Sequence, residues 1–296
     1  MRAVLLKGPG SAEGLVLAEV PKPAPEPDEV LVRVHAATVT RGDVALRKLP
    51  SLLSRLFGFP RKTMLGHEFA GEIEAVGADV TRFGEGERVF GTTTGLTTGS
   101  YAEYVCVPEE GVLATMPANS TYEEAAPVPI GGLTALRFLR EGGVGSGKRV
   151  LVYGASGSVG TFAVQLAAHF GAHVTGVCST SNVELVKGLG ADEVVDYTKE
   201  DFTEAGLIYD IIFDAVGKGS PRRSKRVLAK SGSYVSVRSS TAGERAEDLL
   251  VLRDLMEAGE VKPVIDRRYP LEQIPEAHRH VEKGHKRGNV VITVAG

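Results

Sequence analysis

A run of small residues between positions 154 and 160 has the composition of a phosphate-binding turn. Gly154, Gly157 and Gly160 follow the apolar run Arg149–Tyr153 directly and open a stretch with helical spacing. In a strand–turn–helix unit, one glycine permits a tight turn, another lets backbone approach a diphosphate, and a third lets the helix pack on the strand. The amino end of the helix attracts the negative charge. The predicted dinucleotide-binding turn consists of Gly154, Ala155, Ser156, Gly157, Ser158, Val159 and Gly160.

The end of the next predicted strand distinguishes NAD from NADP. An acidic side chain at this place would hold the adenosine ribose hydroxyls and favour NAD. The sequence instead has Ser179, Thr180, Ser181 and Asn182 after Cys178, and no lysine or arginine accompanies them. Hydroxyl and amide groups can hydrogen-bond a 2′-phosphate without repelling it. We therefore expect NADPH as the cofactor, with Ser179, Thr180 and Asn182 among its contacts.

Alternating helices and strands must position these groups. Helical spacing covers Tyr122–Arg140, a later helix follows Ala246, and Asn289–Val294 is an apolar strand near the end of the chain. The other predicted strands are 149–153, 173–178, 193–196, 209–213 and 233–237, with helices at about 161–170 and 183–189 between the first three. This βαβ alternation predicts a parallel sheet with helices on its faces.

The first part of the chain is different, because short strand-like runs such as Val30–His35 are broken by Pro and Gly. We therefore predict an α/β protein with a β-rich domain over residues 1–118 and a Rossmann doubly wound domain over 119–260. Residues 261–296 are expected to return to the first domain.

Composition excludes several classes of partner. The 296 residues carry a net charge of −3, with no basic field to attract nucleic acid. No segment reaches the roughly 18 apolar residues that a membrane span needs. Two cysteines, Cys106 and Cys178, lie in apolar runs and do not make a disulfide framework. We expect a cytoplasmic protein with no nucleic-acid or membrane partner.

The motifs together resemble the medium-chain dehydrogenase/reductase superfamily, and in particular its zinc-lacking quinone oxidoreductases related to zeta-crystallin. The residues that carry the resemblance are Gly66–Gly77, Gly132–Ala135, the glycine turn, Gly190–Asp192 with Asp196-Tyr197, and Asp214–Gly217. The resemblance implies a GroES-like catalytic domain, a Rossmann domain inserted within it, and the cofactor in the cleft between them.

The resemblance also implies roles for individual residues. Thr40 and Asp43 correspond to the substrate side of the family's site, and Thr134 to a nicotinamide contact. Tyr197 and Asn182 match positions around the adenosine 2′-phosphate, although the family often has lysine in place of Asn182. The remaining implied cofactor contacts are Ala215, Val216 and Arg287, the last beside the Gly288-Asn289 pair where the family usually has Gly-Lys.

In the zinc dehydrogenases of this superfamily, a Cys, the His of a Gly-His-Glu motif and a second Cys or Asp hold the metal. Here the first position is Thr40, the third falls near Ile130, and only His67 remains. Catalytic zinc needs three protein ligands, so we expect no metal, although Asp43 and Glu68 could in principle substitute. His67 is then either a proton donor near the substrate or a core histidine. We expect three other histidines, His278, His280 and His285, to be exposed to solvent.

Three functions remain open from the sequence. The first is an NADPH-dependent reductase of a small hydrophobic quinone or α,β-unsaturated carbonyl, with Thr40, Asp43 and His67 as catalytic candidates. A second is an alcohol dehydrogenase or aldehyde reductase of the same superfamily, and a third is a cofactor-binding protein with little turnover.

The family's usual helix and edge strand after Val237 are shortened here, which puts the family's edge-strand homodimer in doubt. The segment Leu46–Arg61 is rich in leucine and arginine. It either suits a hydrophobic acceptor or forms an amphipathic helix that covers the core.

Overall fold

The computed structural model describes residues 1–49, 64–96, 99–204, 206–239 and 243–294. Residues 50–61, most of the leucine- and arginine-rich segment, therefore lie outside the described residues. The chain forms two compact units. The first contains Met1–Ile130, Leu249–Glu257 and Ile265–Gly296, and the second contains Gly131–Asp248 and Ala258–Val264.

The elements follow one another along both units. The strands are β1 (Arg2–Leu6), β2 (Leu15–Glu19), β3 (Glu29–Thr38), β4 (Glu68–Val76), β5 (Arg88–Thr92), β6 (Tyr104–Pro108), β7 (Leu113–Thr115), β8 (Arg149–Tyr153), β9 (His173–Cys178), β10 (Glu193–Asp196), β11 (Tyr209–Asp214), β12 (Leu228–Ser236), β13 (Ile265–Pro270) and β14 (Asn289–Thr293). The helices are α1 (Arg41–Lys48), α2 (Tyr122–Ala125), α3 (Val128–Gly142), α4 (Ser158–His169), α5 (Val183–Gly188), α6 (Pro221–Ser224), α7 (Ala246–Glu257) and α8 (Ile274–Glu282). Short 3-10 turns lie at Ala12–Gly14, Thr180–Asn182 and Leu271–Gln273.

The first unit is built on a seven-stranded sheet. Its order is β13-β14-β3-β4-β5-β7, with β6 also paired to β3, while β1 and β2 form a separate small sheet. Every second residue of β3 faces the core, so Val30, Val32 and Val34 are fully buried in one cluster with Phe69 of β4. The alternation that predicted a strand at Val30–His35 is confirmed, and the strand extends further at both ends.

The second unit is built on a parallel sheet of five strands in the order β10-β9-β8-β11-β12. Helices α4 and α5 connect β8 to β9 and β9 to β10, as a right-handed βαβ arrangement requires. The predicted Rossmann-type sheet is confirmed, and β8, β9 and β10 have the bounds expected from the sequence.

The prediction that Tyr122–Arg140 is largely helical is confirmed, although the structure divides the region into two helices, α2 and α3. Pro127 and Pro129 explain the break. Proline lacks the backbone N–H of a helix interior and disfavours helical backbone in the residue before it.

Strand β12 ends the order of the parallel sheet, and α7 follows it after a short connection. This agrees with the shortened segment after Val237. Within the described residues, no helix is long and apolar enough to cross a membrane.

Candidate functional site

Asp43 joins the start of α1 to the residues just before β4. Its Oδ2 accepts hydrogen bonds from the backbone N–H of Thr40 at 2.8 Å and from the Thr40 hydroxyl at 2.6 Å. In return, the Asp43 N–H donates to Thr40 Oγ1 at 3.1 Å, which completes a capping box at the amino end of α1. Asp43 Oδ1 accepts from the N–H of Gly66 at 3.1 Å and lies 2.7 Å from His67 Nδ1. The structure therefore brings the three predicted catalytic residues together.

The Asp43 carboxylate is completely buried and still ionised. Burial alone would raise its pKa, but the charge and hydrogen bond of His67, with help from His278 and Thr40, lower the pKa to about 2. An ionised carboxylate can only accept hydrogen bonds, so Nδ1 of His67 carries the proton in their contact. The His67 side chain is 17% exposed, so it is less completely buried than Asp43.

Glu68 is a second buried carboxyl group beside this pair, and the sequence analysis did not foresee its role. Its two oxygens accept the hydroxyl of Thr38 and, at 2.8 Å, the N–H of Ile130 near the amino end of α3. Burial raises its pKa to about 7, against the lowering effects of these two hydrogen bonds. Glu68 is therefore a group that changes charge near neutral pH.

The prediction that His278 is exposed is wrong. His278 lies on the apolar face of α8 with Ile274, Ala277 and Val281, and all four side chains are buried. Its Nε2 is 3.2 Å from the hydroxyl of Tyr101, which is also buried. Burial lowers the pKa of His278 to about 4, so the ring is neutral at pH 7. The helical spacing of Ile274, Ala277, His278 and Val281 was the signal that could have placed it.

His280 and His285 have different surroundings. His280 is half-buried, with Nε2 2.6 Å from Asp266 Oδ2, so the prediction of exposure is wrong for it too. His285 is exposed as predicted. Beside it, Lys286 is a cation that the sequence analysis missed, and burial lowers its pKa to about 8.

The residues present do not fit a catalytic zinc ion. Of the family's three ligand positions, Thr40 gives its hydroxyl proton to Asp43, and Ile130 has no side-chain donor atom. Within the described part of the chain, no three His, Cys, Asp or Glu residues are arranged to hold a metal. The positions outside it contain none of these four residue types.

The glycine turn fits a dinucleotide diphosphate. Gly154 has a φ of +85°, a left-handed conformation that favours glycine. A side chain at Gly160 would meet the Gly154 carbonyl oxygen at 2.1 Å, whereas one at Gly157 would meet it only at 3.4 Å. Gly157 is the N-cap of α4 and, since it has no side chain, makes no side-chain cap of this helix end. Its amino end is thus formed by backbone, as an anion site requires.

The loop after β9 is tied to the glycine turn. Asn182 is buried, and its Nδ2 donates to Ser156 Oγ at 3.2 Å and to Ser179 Oγ at 3.1 Å. The Thr180 hydroxyl donates to Asp196, which stands at the end of β10. These contacts join Ser156, Ser179 and Asn182, while Thr180 of the same short turn contacts Asp196. That these residues surround the adenosine end of a cofactor stays a prediction.

The other predicted cofactor residues lie in several places. Tyr197 is 54% exposed, and its backbone N–H donates to the carbonyl of Cys178 at 3.0 Å, so it lies beside the end of β9. Val216 packs against the glycine turn, because a side chain on Gly154 would meet its Cγ1 at 2.4 Å. The rest are Ala215, buried after β11, Thr134, half-buried on α3, and Arg287, exposed after α8.

Two family models match parts of the chain. Residues 26–118 match the family described as alcohol dehydrogenase GroES-like domain. Residues 189–249 and 237–292 match the family described as zinc-binding dehydrogenase.

Individual relatives cover nearly the whole chain. The 2-methylene-furan-3-one reductase of Solanum lycopersicum is 35% identical over 302 residues, which span 96% of this chain and 76% of that protein. The chloroplastic NADPH-dependent alkenal/one oxidoreductase of Arabidopsis thaliana is 31% identical over 311 residues, 99% of this chain and 79% of that protein. A solved structure, the quinone oxidoreductase from Coxiella burnetii, has a TM-score of 0.92 at 28% identity and covers 100% of this chain and 99% of its own.

A Rossmann-type sheet with its glycine turn, together with a GroES-like unit, defines an oxidoreductase that uses a nicotinamide cofactor. The chain belongs to the medium-chain dehydrogenase/reductase superfamily. The superfamily, the fold class and the enzyme class predicted from the sequence are thus confirmed.

Two similar substitutions in the glycine turn should have different effects, one mainly on stability and the other mainly on NADPH binding. Gly160→Ala should lower the free energy of unfolding by about 1 to 3 kcal/mol, because the methyl group meets backbone. Gly157→Ala should cost at most about 1 kcal/mol but weaken NADPH binding by about tenfold or more, because the methyl group occupies the diphosphate side. Thermal unfolding and fluorescence titration with NADPH measure the two effects. Gly188→Ala, where an added methyl meets nothing, is the control; equal binding losses in all three variants would contradict this assignment.

Glu68 predicts a pH dependence of stability. Because its folded pKa, about 7, lies above the ordinary 4.5, its stabilising contribution is complete below pH 4.5 and is lost as the pH rises through 7. Between pH 5 and pH 8 this loss should lower the free energy of unfolding, measured with urea, by on the order of 2 to 3 kcal/mol. Glu68→Gln should abolish that part of the difference between the two pH values. Glu72→Gln, exposed on the same strand, should leave the difference unchanged. An unaltered difference in Glu68→Gln would show that Glu68 does not titrate in this range.

Proposed function

We propose that the chain is a cytoplasmic, zinc-independent reductase that uses NADPH to reduce a quinone or an α,β-unsaturated carbonyl compound. The observation that carries the proposal is the pair formed by buried Asp43 and His67. His67 stands at one of the family's metal positions, and among the described residues no three His, Cys, Asp or Glu are arranged to hold a metal. The names of the relatives support the substrate class, because two of them are reductases of a methylene furanone and of alkenals or alkenones.

A conjugated acceptor suits a site with this donor set. Reduction of an isolated carbonyl places the developing negative charge on one oxygen, which a zinc ion stabilises as a Lewis acid. In a quinone or enone, the π-system spreads that charge before the proton arrives. A hydrogen-bond donor at the oxygen is then sufficient, and His67 is such a donor.

When bound, the reduced nicotinamide supplies the hydride. Transfer of that hydride to the electrophilic carbon would displace π-electrons onto the oxygen of the acceptor, which would then need a proton from this chain. We propose that His67 gives the proton from Nε2 to that oxygen, and that solvent later restores it. The Asp43 carboxylate holds the Nδ1–H and stabilises the protonated ring, as a carboxylate does for the histidine of a catalytic triad.

Thr40 has a different role in this mechanism from the one suggested by the resemblance. Its only hydroxyl proton goes to Asp43, and its oxygen accepts the Asp43 N–H. Thr40 is therefore a positioning residue that fixes the carboxylate behind His67. Its hydroxyl has no second proton for a substrate.

A substrate panel tests the proposal. NADPH oxidation should be rapid with an ortho-quinone or an enone, slow with a simple aldehyde, slower with NADH, and unchanged after chelator treatment. Turnover that favours the aldehyde and disappears on chelation would establish the alcohol dehydrogenase alternative. Binding of NADPH without turnover of any acceptor would establish the binding-protein alternative.

Substitutions at the pair test the proton donor. His67→Gln should lower kcat by about 10²-fold or more with little change in the KM for NADPH, the usual effect of removing a general acid. Asp43→Asn should cause a smaller loss, because the donor remains but its orientation is no longer fixed. His280→Gln is a matched control, since His280 is also held by a carboxylate, that of Asp266. A kcat for His67→Gln equal to that of the control would rule His67 out as the donor.

A further inference from the structure

The loop after β9 has no cation of its own, but Lys199, in the turn that follows the neighbouring strand β10, lies beside it. Strands β9 and β10 are parallel, with Asp196 opposite Cys178 in the register. The Oδ2 atom of Asp196 accepts the Thr180 hydroxyl, and the same atom lies 3.3 Å from Nζ of Lys199. Pairing of the two strands thus brings Lys199 next to Thr180, one of the residues predicted to contact the 2′-phosphate, although Lys199 and Thr180 are not neighbours in the sequence.

The hydroxyls of Thr180 and Thr198 are not available as donors. The hydrogen bond from Thr180 is the main cause that holds the pKa of Asp196 below its usual range, so this carboxylate is an acceptor only. Thr180 donates to Asp196 Oδ2, and Thr198 donates to Oδ1 at 2.7 Å. Each hydroxyl has one proton, and both protons are used. A phosphate bound here needs its hydrogen-bond donors from other side chains.

The charges around this position favour Lys199 as that donor. Lys199 and Tyr197 line a cavity of about 700 Å³ in the second unit. Three carboxylates, those of Glu200, Asp201 and Glu204, line the same cavity and would repel a phosphate. Its other cation, Arg223, forms an ion pair with Asp201.

The positive charge of Lys199 can offset the repulsion between these carboxylates and a phosphate. Its side chain is 67% exposed on a flexible four-carbon stem, so the ammonium group can turn from Asp196 towards a ligand at small cost.

We propose that Lys199 binds the 2′-phosphate of the cofactor and is the residue that makes the chain prefer NADPH to NADH. The inference rests on the proposed use of NADPH and adds the residue responsible for it. Without a ligand, Asp196 holds the Lys199 ammonium beside Thr180. When the cofactor binds, its 2′-phosphate, which carries more negative charge, replaces Asp196 as the partner of the ammonium. Loss of one charge-assisted hydrogen bond of this kind corresponds to about a tenfold loss of affinity.

Two adenosine nucleotides isolate the contact, because adenosine 2′,5′-bisphosphate and adenosine 5′-monophosphate differ only by the 2′-phosphate. We expect calorimetric titration of the full chain to show tighter binding of the bisphosphate. Lys199→Met should weaken bisphosphate binding about tenfold and leave monophosphate binding unchanged. Lys199→Arg, which keeps the charge, should retain most of the preference.

Lys187→Met is the matched control, because Lys187 also pairs with a carboxylate three residues before it, that of Glu184, in the same unit. It should change neither affinity. If wild type prefers the bisphosphate and Lys199→Met keeps that preference, or loses both ligands equally, the role of Lys199 is refuted while NADPH use stands. If wild type shows no preference but binds NADH, NADPH use itself is refuted, and the role of Lys199 falls with it.

Discussion

The buried, ionised carboxylate of Asp43 is the constraint on which the candidate site depends. A charge inside a protein is tolerated only when its oxygens are hydrogen-bonded, and here the donors come from the start of α1, from Gly66 and from His67. These groups cannot separate without leaving a charge unpaired. The imidazole is therefore held in one orientation and one tautomer before any substrate arrives, which is the preorganisation that proton donation requires.

Glu68 shows the other outcome for a buried carboxyl group. It lies next to Asp43, and within the described part of the chain it accepts the Thr38 hydroxyl and one backbone N–H and forms no ion pair. Desolvation then dominates and its pKa rises to about 7, while that of Asp43 falls to about 2. The environments of these two neighbouring carboxyl groups therefore shift their pKa values in opposite directions. Asp43 stays charged near neutral pH, whereas Glu68 changes its charge there.

How much the sequence predicts depends on whether a feature is local. The glycine turn and strands β8 to β10 follow from short-range rules about glycine conformation and apolar runs, and the structure has them where expected. The break between α2 and α3 was also readable from its two prolines. The contacts of Glu68 and Lys199 were not, because they depend on which strands and helices meet. A single sequence gives the type of each side chain but not its neighbour across a sheet.

One rule of hydrogen bonding changes the assignment at both sites. Thr40 is expected to touch a ligand from the resemblance and Thr180 from its place after β9, and a hydroxyl is well suited to either task. In the structure each gives its single proton to an aspartate, Asp43 or Asp196, whose low pKa keeps it an acceptor. Both threonines therefore hold a carboxylate in place, and the groups that we propose to act on a ligand, His67 and Lys199, are the other partners of those two carboxylates.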